Sequence, residues 1–554
     1  MQQGPGRHRG AALAARRGSV AAQSGRAHGR GRRRAGLRGL PQRRRPAVAA
    51  LSAAARGGTA RALAGAALGG ALFFLGYAGW GVWPLALVAW AALWWGLEAA
   101  RARGVAAAAL AGFVFGWVAH AGGFGWLWRL VDVFLDGNRP LGAALWLAHS
   151  AWFAAAYAAY AALYAALRAR GWAVAAAGVA PLLAVEWLWP ALFPVRLGDA
   201  FVDRTAFVQI ADLGGALLVT ALALVVNAAV FETLRWAAGA RPLPRGTWAA
   251  AALAVGAAAA YGTLRIRALE DAVARAPELR AGVVQGNLDV LAKRRDPERM
   301  HAAYLQQTRE LLADGSVDLV VWPETVYTRG IQGPLPVAGD LIRRDLGVPL
   351  LFGAASVRSG PDGRSLTYNS AFLIEADGAI RDGYDKNLLI PLAERLPVGA
   401  LARWLPHADH FGAAADTPPL TLGPWRMATP ICYEAIVAGF VRRMVREARP
   451  NLLVMLSNDS WFGDSQEPWL HLNLARLRAI EHRRFVVRAA NGGVSAIIDP
   501  LGRLAGRTGL LTRENLRGSV RALYADTVYA RLGDWPGALA TAAVAALLLV
   551  RRAG

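Results

Sequence analysis

The stretch Thr429-Pro430-Ile431-Cys432-Tyr433-Glu434 holds the one cysteine of a 554-residue chain, where an apolar run (427–431) meets a stretch of helical periodicity (434–446). A strand that turns straight into a helix exposes a thiol and aims backbone N–H groups at what the thiol attacks. A cysteine is more often a small buried hydrophobe, so the reading depends on its surroundings. Short runs rich in Val, Ile and Leu recur at 280–284, 319–322, 349–353, 371–374, 451–456, 485–489 and 494–498. Polar stretches with helical periodicity lie between several of them, as at 298–312 and 470–484. Buried strands alternating with helices predict an α/β layered domain.

Two further stretches bear on the cysteine. Val320-Val321-Trp322-Pro323-Glu324-Thr325 places a carboxylate just past a buried strand, after a proline that ends pairing. Tyr384-Asp385-Lys386-Asn387-Leu388-Leu389-Ile390-Pro391 places a lysine beside an apolar run, where its charge needs a partner. Glu394 or Glu324 could supply it. Taken alone, each of these residues reads more readily as surface or core.

The N-terminal half has a different texture. Apolar runs near 61–79, 81–99, 105–124, 141–166, 172–190, 207–232 and 247–264, with a last one near 537–550, approach the roughly 20 residues that cross a bilayer. Ala and Gly dominate many of them, as in closely packed membrane helices. Trp80, Trp83, Trp126, Trp128, Trp187, Trp189, Trp236 and Trp248 stand near the ends of these runs, where an aromatic belt is expected. If the runs alternate, Arg101, Arg103, Arg168, Arg170, Arg235, Arg241, Arg245, Arg551 and Arg552 fall on one side. The positive-inside rule then puts both termini in the cytoplasm and residues 265–536 outside.

The formal charge of +24 does not indicate a nucleic-acid partner, because residues 1–60 carry 14 Arg and no Asp or Glu. That stretch lacks large apolar residues and is expected to be a disordered cytoplasmic tail. A single cysteine excludes an intramolecular disulfide and a structural zinc site built on several cysteines. No metal and no cofactor are expected.

Together, Glu324, Lys386 and Cys432 resemble the Glu-Lys-Cys triad of the nitrilase superfamily, in its chain order, over roughly residues 280–525. A domain of that kind between a seventh and an eighth span is similar to the apolipoprotein N-acyltransferase family. Gln285-Gly286-Asn287, Tyr368-Asn369-Ser370, Ser457-Asn458-Asp459, Trp461-Phe462-Gly463-Asp464-Ser465, His471-Leu472 and Asn491-Gly492-Gly493-Val494 agree with it. Asn387-Leu388 and Leu392-Ala393-Glu394 depart from the pattern, as do Glu467 and Leu470, which stand where Gly and Gln are common, and Arg294, where Trp is common.

The resemblance implies a membrane bundle of about eight spans and a nitrilase-like α-β-β-α sandwich. The expected parts are a tail (1–60), a membrane domain (61–264), an extracytoplasmic catalytic domain (265–536) and a final helix with the cytoplasmic end (537–554). It implies a ping-pong acyl transfer in the cell inner membrane, with the active site in the periplasm. The acyl chain passes from a phospholipid, through a Cys432 thioester, to the N-terminal diacylglyceryl-cysteine of an apolipoprotein. In that scheme Cys432 is the nucleophile, Glu324 the base, and Lys386 with the Tyr433 N–H the oxyanion partner. Glu394 orients Lys386 and Glu324; Asn369, Tyr433 and Glu434 shape the pocket; Trp461 caps or lines its entrance. The competing readings are a membrane-anchored amidase for a small substrate, a transporter or receptor with a degenerate nitrilase-like domain, and half of a glycolipid-synthesis complex.

Overall fold

The computed structural model describes residues 45–77, 80–135, 137–240, 242–289, 296–359, 365–391, 393–395 and 411–550. Residues 1–44 of the expected tail, Arg294 and Leu392 lie outside the described residues. The first helix, Arg45–Gly76, begins inside the stretch read as tail. Residues 54–554 form one unit, and the rest of the description concerns it.

An apolar helix stands at each of the eight expected places, but they differ in length. Gly58–Gly76, Val105–Gly123, Arg139–Ala169, Ala211–Ala237 and Arg245–Arg275 are long and apolar enough to cross a membrane. Val174–Leu188 and Trp535–Leu549 are shorter, at 15 residues each. The second expected run is split, with Trp83–Leu87 in a 3₁₀ turn opened by Pro84 and only Ala89–Ala100 in an α-helix. An expected count of about eight full spans is therefore met by five helices of spanning length among the described residues. Proline at the start of the second run accounts for part of the shortening there.

Small residues set the packing. A Cβ at Gly112 would lie 2.2 Å from the Tyr157 carbonyl oxygen, and one at Gly116 2.7 Å from Ala154 Cα, so Val105–Gly123 and Arg139–Ala169 meet backbone to backbone. Trp80, Trp128, Trp187, Trp236 and Trp248 are exposed as a belt requires, whereas Trp126 is buried against Phe462. Helix Arg245–Arg275 runs on past its apolar part and delivers the chain to the first strand, Glu278–Gln285.

The remainder is a two-sheet α/β domain. In the first sheet the order is Glu514–Arg521, Glu278–Gln285, Leu319–Val321, Leu350–Ser359, Ser365–Ile374, Ala379–Asp385 and Val337–Ala338, with Tyr327–Gln332 also on Leu350–Ser359. The second runs Leu504–Arg507, Ala496–Ile498, Val486–Asn491, Leu452–Asn458, Trp425–Ala428 and Leu420–Leu422. Strand periodicity divides the first sheet's side chains: Ala281, Val283, Leu319 and Val321 face the second sheet's core. Val284, Val320 and Trp322 turn to helix Pro297–Ala313.

Helix Glu467–His482 has no solvated face. Leu472, Ala475 and Ala479 pack on the sheet core, while Leu470, Leu474, Leu477 and Ile480 join the core of the membrane helices. Charges fix the junction beside it. Buried Arg483 donates from Nε to Asp212 Oδ2 at 3.0 Å and from Nη2 to the Gln209 carbonyl at 3.0 Å. Arg265 meets the same Asp212 oxygen at 2.9 Å. Removing Asp212 would take a carboxylate partner from both arginines, leaving Arg483 on the Gln209 and Pro500 carbonyls and Arg265 partly exposed to solvent.

Candidate active site

Cys432 follows strand Trp425–Ala428 and caps the four-residue helix Tyr433–Ile436. Its backbone sits at φ 50°, ψ −112°, a conformation that L residues avoid and that costs roughly 1–3 kcal/mol. Three contacts hold it: its N–H donates to Leu456 O at 2.7 Å, Ala435 N–H reaches its carbonyl at 3.0 Å, and His471 Nε2 lies 3.2 Å from that oxygen. The strand-to-helix turn expected from the sequence is present. The expected helix 434–446 is broken at Val437, after which Ala438–Ala448 resumes.

Glu324 lies three residues past the end of strand Leu319–Val321, in a loop pressed against Gly353. A Cβ at Gly353 would sit 2.5 Å from Thr325 N and 2.6 Å from Glu324 Cα, so only glycine lets the loop lie there. Lys386 follows strand Ala379–Asp385, tied by its N–H to Asn369 O at 2.8 Å. Its ammonium is fully buried and lies 2.7 Å from Glu394 Oε1 and 3.4 Å from Glu324 Oε1. Asn369 Nδ2 donates to the same two oxygens, at 2.7 Å to Glu324 and 3.2 Å to Glu394. Glu394 is braced in turn by Ile390 N–H on Oε2 at 2.9 Å.

These groups set one another's charge. Burial raises the Cys432 thiol well above the usual range; Glu324 adds to the rise and Lys386 opposes it. Burial alone would lower Lys386, but the Glu394 and Glu324 carboxylates outweigh it and hold the lysine above its ordinary value. The resting site thus pairs a neutral thiol with a charged lysine and needs a base to make the nucleophile.

Glu434 lies behind the triad, between the lysine loop and the cysteine turn. Its carboxyl accepts from the N–H groups of Asn387 (2.6 Å), Leu388 (3.0 Å) and Ile431 (2.8 Å), and from Tyr384 O–H (2.7 Å). It joins the lysine loop to the cysteine turn and is fully buried, so it shapes the site from behind; burial pushes its pKa up to about 7. Tyr433 is half-buried and packs edge-on to Phe193 of the membrane region, 6.2 Å between centroids. Trp461 lies on the 3₁₀ turn Asp459–Phe462, against the same membrane-side core.

Sequence reasoning quoted Asp459, Glu467 and His471 without giving them a role. Their side chains converge beneath Cys432, with ligand atoms within 4.8 Å of one another. Asp459 is already bound by buried Arg488 at 2.5 Å, whose charge brings its pKa down against the effect of burial. The guanidinium thus supplies the positive charge a metal would bring. The i, i+4 spacing of Glu467 and His471 was the signal available in the sequence.

A cavity of about 660 Å³ opens between the α/β domain and the membrane helices. Leu130, Leu145, Trp146, Phe153 and Phe193 line it from the helical side; Tyr433, Ile390, Pro391 and Ala393 line it from the α/β side. Its walls are mostly apolar, and two of them adjoin Cys432 and Glu394 in the chain.

The carbon-nitrogen hydrolase family pattern matches residues 280–536, and that of the apolipoprotein N-acyltransferase N-terminal domain matches residues 69–229. An apolipoprotein N-acyltransferase of Azotobacter vinelandii is 32% identical over 508 residues, covering 87% of this chain and 94% of that protein. One of Geobacter metallireducens is 32% identical over 517 residues, covering 88% and 95%. Among solved structures, a CN-hydrolase superfamily protein of Xanthomonas campestris is 20% identical, with a TM-score of 0.33, covering 50% of this chain and 99% of that one.

Proposed function

The chain belongs to the apolipoprotein N-acyltransferase family and is an acyltransferase of lipoprotein maturation, and we propose that Cys432 is its nucleophile, with Glu324 as base and Lys386 as oxyanion partner. The observation that carries this reading is the apolar cavity of about 660 Å³, walled by Tyr433 beside the cysteine and by membrane helices. It suits an acyl chain. An amidase acting on a small polar substrate has no use for it.

In the first half-reaction Glu324 takes the thiol proton and the thiolate attacks an ester carbonyl of a phospholipid. The oxyanion is met by the Lys386 ammonium and by the N–H of Tyr433, which as the first residue of a helix has no intrahelical partner. Glu324 returns the proton to the departing glycerol oxygen, leaving a thioester on Cys432. In the second half the α-amino group of a diacylglyceryl-cysteine attacks the thioester, Glu324 takes its proton, and the thiolate leaves. Asn369 and Glu394 keep the two charged groups apart enough for both to act.

The three short apolar helices complete the eight crossings in this reading. Residues 265–536 then face the periplasm, above the inner membrane that supplies both lipid substrates. Residues 1–60 and the chain end lie in the cytoplasm.

Intact mass measurement on the purified full chain incubated with phospholipid tests the assignment. Wild type should gain one acyl chain and Cys432→Ser should not. No adduct on wild type, or an equal one on Cys432→Ser, overturns it.

A further inference from the structure

A second, smaller cavity of about 190 Å³ is also lined by Tyr433. It shares Phe153, Ala191 and Tyr433 with the apolar one, so the two are neighbours, and Tyr433 follows the nucleophile in the chain. Its lining is polar where the other is not: Glu186, Arg196, Asp199 and Arg478 all face it.

Most of these charges are already satisfied. Arg196 meets Asp534 through two bonds of 3.1 Å. Glu186 accepts from Leu197 N–H at 2.9 Å and Thr220 O–H at 3.0 Å, and Asp199 accepts from Arg196 N–H at 2.9 Å. Arg478 is the exception. It is 2% exposed and spends Nη2 on Glu481 at 2.9 Å, while Nε and Nη1 have no partner among the described residues. Buried guanidinium donors left unpaired are costly, and a guanidinium suits a phosphate oxygen.

The position fits a lipid held at Cys432. Arg478 follows His471 by seven residues on helix Glu467–His482, so both lie on one face, about 10 Å apart along the axis. His471 touches the Cys432 carbonyl. A glycerophospholipid whose ester carbonyl is at the thiol, with its acyl chain in the large cavity, would carry its phosphate a comparable distance away.

We propose that the small cavity is a headgroup subsite in which Arg478 binds the phosphodiester of the acyl donor. The proposal rests on the acyl-transfer reading above. Tyr433 then separates the chain from the headgroup and fixes which ester bond meets the thiol. The subsite selects a phosphate-bearing donor over a neutral glyceride with the same acyl chains.

The test compares dioleoyl-phosphatidylglycerol with dioleoylglycerol in mixed micelles, reading the rate of acyl-Cys432 formation by intact mass in a single turnover. Wild type should favour the phospholipid, and Arg478→Gln should lower that preference about tenfold or more. Because Arg478 lies in a buried cluster, Gly439→Leu provides a second probe. Gly439 lines the cavity, and a Cβ there meets nothing within 4 Å, so a larger side chain can be introduced at the cavity wall. It should reduce the preference in the same direction. A preference unchanged in Gly439→Leu, or equal rates for the two donors in wild type, overturns the subsite while leaving Cys432 acylation standing. No adduct from either donor removes the acyl-transfer reading and the subsite with it.

Discussion

Lys386 Nζ and Asn369 Nδ2 bind the same pair of oxygens, Oε1 of Glu324 and Oε1 of Glu394, so one cation and one amide are shared between two carboxylates. The cation lies nearer Glu394, at 2.7 Å against 3.4 Å. Glu394 therefore anchors the lysine more closely than Glu324 does.

Replacing Glu394 by Gln should release the lysine toward Glu324. An ion pair formed there would draw the base away from the thiol and the cation away from the oxyanion. The acylation step is expected to slow by about 10²-fold or more, the scale of a lost oxyanion donor. Single-turnover acylation of Cys432 measures it. A rate within a few-fold of wild type would show that Glu324 alone positions the lysine.

Gly353→Ala tests whether the base depends on backbone contact. The new methyl would meet Thr325 N at 2.5 Å and Pro323 O at 2.6 Å, backbone atoms that cannot swing aside. The loop must shift and take Glu324 with it. Overpacking of this kind costs about 1–3 kcal/mol of stability, and a displacement near 1 Å costs on the order of 10²-fold in rate. Thermal unfolding and acylation rate, measured together, check both. Wild-type turnover in a folded variant would rule this loop geometry out as the determinant.

Glu324→Gln should have two opposite effects on the cysteine. Burial is the first cause of the raised thiol and the Glu324 charge the second, with Lys386 pulling the other way. Losing the carboxylate leaves the lysine less opposed, so thiolate forms at lower pH than in wild type. Alkylation by iodoacetamide should rise earlier along a pH series, while acyl transfer is lost for want of a base. Alkylation shifted to higher pH instead would mean that Glu324 activates the thiol mainly by accepting its proton at rest.

Much of this site could be read from the chain because its residues mark the ends of elements. Cys432 follows Ile431 at a strand-to-helix turn, Glu324 follows a proline after the buried strand Leu319–Val321, and Lys386 stands just before the apolar run 388–391. Strands such as Leu319–Val321 and Leu452–Asn458 are buried on both faces, so they appear as continuous apolar runs. Ala379–Asp385 and Glu514–Arg521 escaped notice because they are half-exposed and mix Arg, Asp and Ser into the alternation. The partners of Glu434 could not be read from the chain, since its four donors come from two distant stretches, 384–388 and Ile431. Hydropathy overestimates the helix of the second run because it does not register that Pro84 opens a 3₁₀ turn ahead of Ala89–Ala100.

Glu467 is buried beside His471 and Asp459. Its Oε2 has no partner among the described residues. Burial, then the charge of Asp459, raises its pKa well above the ordinary carboxylate value, while Arg488 opposes the rise. A carboxyl whose pKa is raised by folding holds a proton that the unfolded chain releases. Its contribution to stability is complete below the unfolded value near 4.3 and is lost at about 1.4 kcal/mol per pH unit above it, until the folded value is reached. Glu467→Gln copies the protonated shape without titrating. The variant should therefore unfold at a higher temperature than wild type at pH 7, with the difference closing as the pH falls to 4. Acyl transfer should stay within about threefold, because His471 keeps its contact with the Cys432 carbonyl. A Gln variant less stable than wild type at pH 7 would show instead that Glu467 is ionised in the fold and held by Arg488.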